Sequence, residues 1–180
     1  NKIYHTDHAL IGDARVTLQA LIDELAKRTS GAGIGRDNIV SEILEERQKD
    51  ELKYHDALNS SETPINPYRV YADIMKVIDP QKSFVTHESG NTRDQLSTVY
   101  ETQIPRGFLG WGNVSSLGFS LPAAMAAKIA YPERHSIAVT GEAGLGYMLG
   151  NLEVPVRENI GITVIHISNG GFSGYGPGFW

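Results

Sequence analysis

"VTGEAGLGYMLGNLEVPVRENIGITVIHISNGG" occupies residues 139–171, and its reading decides the fold. The apolar, partly β-branched run 136–140 stops at a glycine cluster, which reads as a buried strand entering a turn. A longer segment suited to a helix follows. A second apolar run, 162–167, then ends at Ser168-Asn169-Gly170-Gly171. Strand, glycine turn, helix and parallel strand make a β-α-β unit, and ligands in such sheets sit at the carboxyl ends of the strands. Three readings remain open at this point: a dinucleotide fingerprint, another phosphate cradle, or an ordinary unit with flexible turns.

Working toward the amino terminus, "GWGNVSSLGFSLPAAMAAKIAYPE" (110–133) begins glycine-rich and becomes alanine-rich, as a loop feeding a tightly packed helix does. Residues 83–86 read as a short strand followed by the polar turn "HESGNTRD" (87–94) and a helical or irregular segment to Tyr100. Asn66 suits an N-cap and Pro67 a first helical position, which predicts a helix over 67–78. Asp13 caps a further helix, with Ala14, Leu18, Leu21, Ile22 and Leu25 at helical spacing and Gly31 as a stop. That single amphipathic helix has too little chain around it to bury its own stripe. Residues 36–62 are charge-dense and helix-forming, with Ile39, Val40, Ile43 and Leu44 on one side, and read as a solvated linker. Alternating helices and buried strands predict an α/β fold with a parallel sheet flanked by helices. Its domain begins near Ser61: 1–30 is the end of another domain, 31–60 the linker, and 61–180 the sheet domain.

Composition excludes several function classes. The 180 residues carry a net charge of −5 and a pI near 5.7, and no basic stripe interleaved with aromatics marks a nucleic-acid surface. No apolar run approaches the roughly 20 residues that span a bilayer. Without cysteine there is neither a disulfide framework nor a thiolate metal site. A cytoplasmic location is the expectation.

Three glycine-bearing turns stand at strand ends: 87–94, 110–118, and the pair 141–146 with 168–171. Glycines let backbone N–H groups approach an anion, and a following helix start adds positive potential. Glu142 inside such a turn would repel phosphate unless a cation lies between. Glu142, the Asn169 amide oxygen and a backbone carbonyl, completed by phosphate oxygens and water, make an octahedral Mg²⁺ shell. The dinucleotide reading fits less well. "GEAGLG" lacks the G-x-G-x-x-G spacing, and the next strand ends without the acid that would hold a ribose.

The opening stretch resembles the thiamine-diphosphate motif, in which G-D-G is followed after about two dozen residues by N-N. Here Gly141-Glu142-Ala143 is followed by residues 144–167 and then Ser168-Asn169. Residues 110–134 resemble the segment before that motif in acetolactate-synthase-like and oxalyl-CoA-decarboxylase-like enzymes. "VTHESGNTRDQ" is similar to the family's earlier strand-end turn, and "INPYRVYADIMKVID" to the first helix of its pyrophosphate-binding domain. The resemblance implies the end of a central domain plus most of a pyrophosphate domain, cut short at the C-terminus.

It also implies roles. Glu142, Asn169 and the Gly171 carbonyl are the metal ligands. Ala143 and Gly144 offer N–H groups to the diphosphate, and Asn91 and Thr92 lie where relatives touch it, with a plain Asx turn as the alternative. Leu117 matches the bulky residue that bends the cofactor, with a core leucine as the alternative. The Ser115 carbonyl accepts the cofactor's amino group. Tyr175 and His87 are substrate candidates, His87 being otherwise a surface histidine. His166 reads as buried and satisfied, and Trp111 as packing its loop. No catalytic side chain is assigned here, because the activating glutamate belongs to a pyrimidine-binding domain on another chain or subunit. Glu142 and Ser168 depart from the family's aspartate and first asparagine, and Pro155 falls inside the expected helix, which must kink or be irregular.

The implied function is a thiamine-diphosphate- and Mg²⁺-dependent decarboxylase or carboligase acting on a 2-oxo acid, as a homodimer or homotetramer. The alternatives are 2-hydroxyacyl-CoA or oxalyl-CoA cleavage, a non-catalytic or degenerate cofactor-binding subunit, and, most distant, a nicotinamide oxidoreductase. FAD, which some relatives bind in the central domain, is not assessable from these residues.

Overall fold

The computed structural model describes residues 3, 5–29, 37–112 and 114–170. The chain divides into two compact units, Asn1–Asp50 and Glu51–Trp180. In the first, α1 (Ala14–Thr29) starts where Asp13 accepts the Val16 N–H on its side chain at 3.1 Å. None of its residues is buried, and Leu18, Leu21, Ile22 and Leu25 stand exposed. The expected stop at Gly31 lies outside the described residues. The charged segment forms α2 (Asp37–Leu58).

In the second unit, α3 (Pro67–Val77) opens with the Asn66 side chain accepting the Tyr68 N–H at 3.0 Å. There follow β1 (Ser83–His87), α4 (Asn91–Val99), β2 (Phe108–Leu109), α5 (Ser120–Ala130) and β3 (His135–Thr140). Then come α6 (Glu142–Met148), a 3₁₀ turn (Leu149–Leu152), α7 (Glu153–Arg157) and β4 (Thr163–His166). The four strands form one parallel sheet in the order β2-β1-β3-β4.

Both central strands are buried along nearly their whole length, because helices cover both faces, as an all-parallel sheet requires. On one face Val85, Ile137 and Val139 pack with Tyr71 and Ile74 of α3 and Leu96 of α4. Strand alternation turns Phe84, Ser136 and Ala138 to the other face. There α5 buries Leu121, Ala124 and Met125, and the Ser136 hydroxyl donates to the Ala124 carbonyl at 2.6 Å. The alanines of α5 permit that close approach.

The segment 142–157 is not one helix. α6 ends after seven residues, a 3₁₀ turn intervenes, and α7 starts afresh with Pro155 as its third residue. In a first turn the backbone N–H has no intrahelical acceptor, so proline forfeits no bond there. The interruption thus absorbs a residue that would cost a continuous helix about 3 kcal/mol. Two further differences from expectation concern the sheet edges. Strand β2 is too short to carry any periodicity. His166 is exposed, not buried, because among the described residues β4 has a neighbouring strand on one side only, and only its middle residues are half-covered.

The chain leaves β1 toward β2 on one side, while β3 lies on the other. The turns after β1 and β3 therefore diverge and open a crevice at their carboxyl ends, the switch point of the sheet. Leu96, fully buried between α3 and this sheet, tests the core. Leu96→Ala is expected to lower unfolding free energy by about 2–5 kcal/mol in urea titration.

Candidate functional site

Glu88, the residue after β1, is 1 % exposed, and a ring of donors surrounds its carboxylate. Oε1 accepts the N–H groups of Ser89 at 3.0 Å, Gly118 at 3.0 Å and Phe119 at 3.3 Å. Oε2 accepts the N–H of Ser120 at 3.3 Å and its hydroxyl at 2.9 Å. The donors from Gly118, Phe119 and Ser120 sit at the start of α5, where N–H groups have no intrahelical acceptor and the helix end is positive. A carboxylate from another element caps the helix in place of a local side chain. Gly118 has φ +85°, a left-handed conformation that delivers its N–H here. A Cβ on Gly144 would overlap the Glu88 side chain, so the start of α6 reaches this point only as glycine.

The Glu88 backbone is held as firmly. Its N–H donates to the Val139 carbonyl at 2.9 Å, and its carbonyl accepts the Thr92 hydroxyl at 3.1 Å. Beside these groups lies a cavity of about 600 Å³ at the switch point. From the β1 side it is lined by Asn91 and Thr92, and from the glycine-rich loop by Ser115 and Leu117. The β3 turn adds Glu142, Ala143 and Gly144, and β4's end adds Asn169. The Glu142 side chain accepts the Asn169 backbone N–H at 2.9 Å, so two residues far apart in sequence meet at one rim.

The expected site residues thus converge, with particular differences. Asn91 is the first residue of α4. Leu117 is 42 % exposed and faces the cavity, so it is not a core leucine. Ser115 sits at φ +61° with its hydroxyl against that of Ser89. Trp111 packs its loop under the Arg93 guanidinium, 5.2 Å from the ring.

His87 requires correction. It is neither a surface histidine nor a lining residue of the cavity: it is 4 % exposed, its ring tilted against that of Phe108, with Nδ1 3.1 Å from the Glu88 carbonyl. As the last residue of a central strand it points into the packed layer, where a Cβ on Gly110 would run into its ring. Gly171 and Tyr175 lie outside the described residues.

Glu88 and Arg93 are among the lining residues that escaped the sequence reading. Glu88 was visible only as the acid beside His87, although an acid between a buried strand and a glycine turn is itself a signal. Arg93, which also lines the cavity and pairs with Asp94, carried none.

Residues 88–176 match the family described as thiamine pyrophosphate enzyme, C-terminal TPP binding domain. Over this segment the chain is similar to the thiamine pyrophosphate enzymes. A probable acetolactate synthase large subunit from Methanococcus aeolicus is 26 % identical over 175 residues, covering 93 % of this chain and 29 % of that protein. A 2-hydroxyacyl-CoA lyase from Arabidopsis thaliana is 28 % identical over 169 residues, covering 92 % and 29 %. The human 2-hydroxyacyl-CoA lyase 1 is 26 % identical over 176 residues, covering 95 % and 30 %. The chain therefore spans about three tenths of the length of these relatives. Among the described residues, no helix is long and apolar enough to cross a membrane.

Burial holds the His87 imidazole below its ordinary value of 6.5, because the charged form loses its hydration. The unfolded chain therefore binds the proton more readily. This contribution to stability is complete above the unfolded pKa and is lost as pH falls through the lower folded value. Urea midpoints from pH 7.5 to 5 are expected to fall, and His87→Gln to flatten that slope. An unchanged slope in the variant would assign the effect elsewhere.

Proposed function

We propose that this domain binds thiamine diphosphate through Mg²⁺ and serves a decarboxylase or carboligase of the acetolactate-synthase-like group, acting on a 2-oxo acid. The observation that carries this reading is the meeting of Glu142 and Asn169 at the rim of the switch-point cavity, within a segment similar to the thiamine pyrophosphate enzymes. The donor set suits the ion. A carboxylate and an amide oxygen are hard ligands, and Mg²⁺ favours one or two protein carboxylates with phosphate oxygens completing its shell. Among the described residues no group of three His, Cys, Asp or Glu offers a competing site. The Gly171 carbonyl is the third protein ligand in this proposal. The cavity volume falls within the usual range for a cofactor site.

When bound, thiamine diphosphate supplies an electron sink that lets a carbon–carbon bond beside a carbonyl break. The chain's own residues bind and orient. Glu142 and Asn169 hold the cation that neutralises the diphosphate. Asn91, Thr92, Ala143 and Gly144 form that end of the cavity, where the starts of α4 and α6 add positive potential. Leu117 provides an apolar wall at the other end, and the Ser115 carbonyl an acceptor for the cofactor's amino group. The activating glutamate is assigned to a pyrimidine-binding domain on another chain or subunit, which makes the assembly at least a homodimer. In the same proposal, residues 1–30 end a central domain, 31–60 link, and 61–180 hold the cofactor.

A second reading is cleavage of a 2-hydroxyacyl-CoA, favoured by the lyase relatives, which match at 26–28 % identity beside 26 % for the synthase. Turnover of pyruvate against that of a 2-hydroxyacyl-CoA separates the two.

Calorimetric titration of the full-length protein with thiamine diphosphate, with and without Mg²⁺ and with NAD as control, tests the cofactor. Binding that needs Mg²⁺ is the expected result, and binding of NAD in its place overturns the reading. Glu142→Ala should weaken that binding by at least the roughly 10- to 100-fold typical of disturbing a metal's surroundings, with the melting temperature preserved. Glu142→Asp should retain the Mg²⁺ dependence.

A further inference from the structure

Glu88 holds none of the roles assigned above, yet its side chain lies between the two ends of the cavity. Its carboxylate accepts the N–H groups of Gly118, Phe119 and Ser120, the three residues that follow Leu117. Its Cγ and Cδ occupy the space over Gly144 that a side chain there would need. The loop carrying Ser115 and Leu117 is thus set against α6, which carries Glu142, Ala143 and Gly144, with the Glu88 side chain as the spacer. A second tie runs parallel, from the Ser89 hydroxyl to the Ser115 hydroxyl. Ser115 is a non-glycine residue in the left-handed region, a conformation that persists where the surroundings over-determine it. The fixed N–H of Gly118, three residues later, is part of that constraint. Burying a carboxylate to this extent is costly unless its lone pairs are filled, and here five donors fill them.

We propose that Glu88 is a positioning residue: it sets the separation between the ring end of the cavity, at Ser115 and Leu117, and the diphosphate end, at Glu142 to Gly144. The proposal rests on the thiamine diphosphate reading above. A ligand that engages both ends should feel a change at Glu88, whereas a ligand that engages only the diphosphate end should not. A purely structural role would move both together.

The test is titration of the full-length protein with two probes in the presence of Mg²⁺, thiamine diphosphate and inorganic pyrophosphate. Glu88→Gln keeps the shape of the side chain but replaces an acceptor by a donor facing backbone N–H groups. Loss of charge-assisted bonds of this kind should raise the Kd for thiamine diphosphate roughly tenfold and leave that for pyrophosphate within about twofold. Ser120→Ala removes only the hydroxyl donor to Oε2 and should act in the same direction, more weakly; it decides the matter if Glu88→Gln does not fold. Equal losses for both probes, or no change for either, overturn the positioning role while leaving the cofactor reading intact. Failure of the unaltered protein to bind thiamine diphosphate overturns the cofactor reading, and this proposal with it.

Discussion

The Glu88 carboxylate, capping the start of α5 from the end of β1, is the interaction on which the arrangement of the cavity depends. A buried charge without partners would cost several kcal/mol, so the fold must bring donors to it. It does so with N–H groups that α5 leaves unpaired by geometry, so two liabilities cancel each other. The consequence is positional. The strand end, the glycine-rich loop and the start of α6 all meet at this one cluster.

Around that cluster the sheet supplies direction. Its switch between β1 and β3 separates two turns and leaves room for a ligand at their mouths. The break of 142–157 into α6, a 3₁₀ turn and α7 then sets how much of the following chain is rigidly aligned with that mouth. A short α6 keeps Glu142 at a helix start, where its side chain reaches across to the Asn169 backbone. The reach of the glutamate side chain suits that span between neighbouring strand ends.

Much of this was legible in the residues. The caps Asp13 and Asn66, the strands 83–86 and 136–140, and the alanine-rich helix follow from local chemistry that needs no partner, and each stands within a residue or two of its expected place. Strand β2 did not announce itself, because two residues carry no alternation and their strand character comes from pairing with Val85 and Thr86. His87 and His166 were misplaced for the opposite reasons. A polar residue at the end of a central strand inherits the burial of its neighbours, and one on an edge strand does not. Neither fact can be read without strand order.

The sequence by itself determined the alternation of strands and helices, the glycine turns, and the placing of the two oxygen-bearing side chains Glu142 and Asn169 at strand ends, since these depend on periodicity and side-chain chemistry over short spans. Only the tertiary structure decided which turns share a rim, that Leu117 faces a cavity and not the core, and that Glu88 is a buried anchor. Those properties depend on strand order and on donors thirty residues away, and long-range pairing leaves no local trace in the chain.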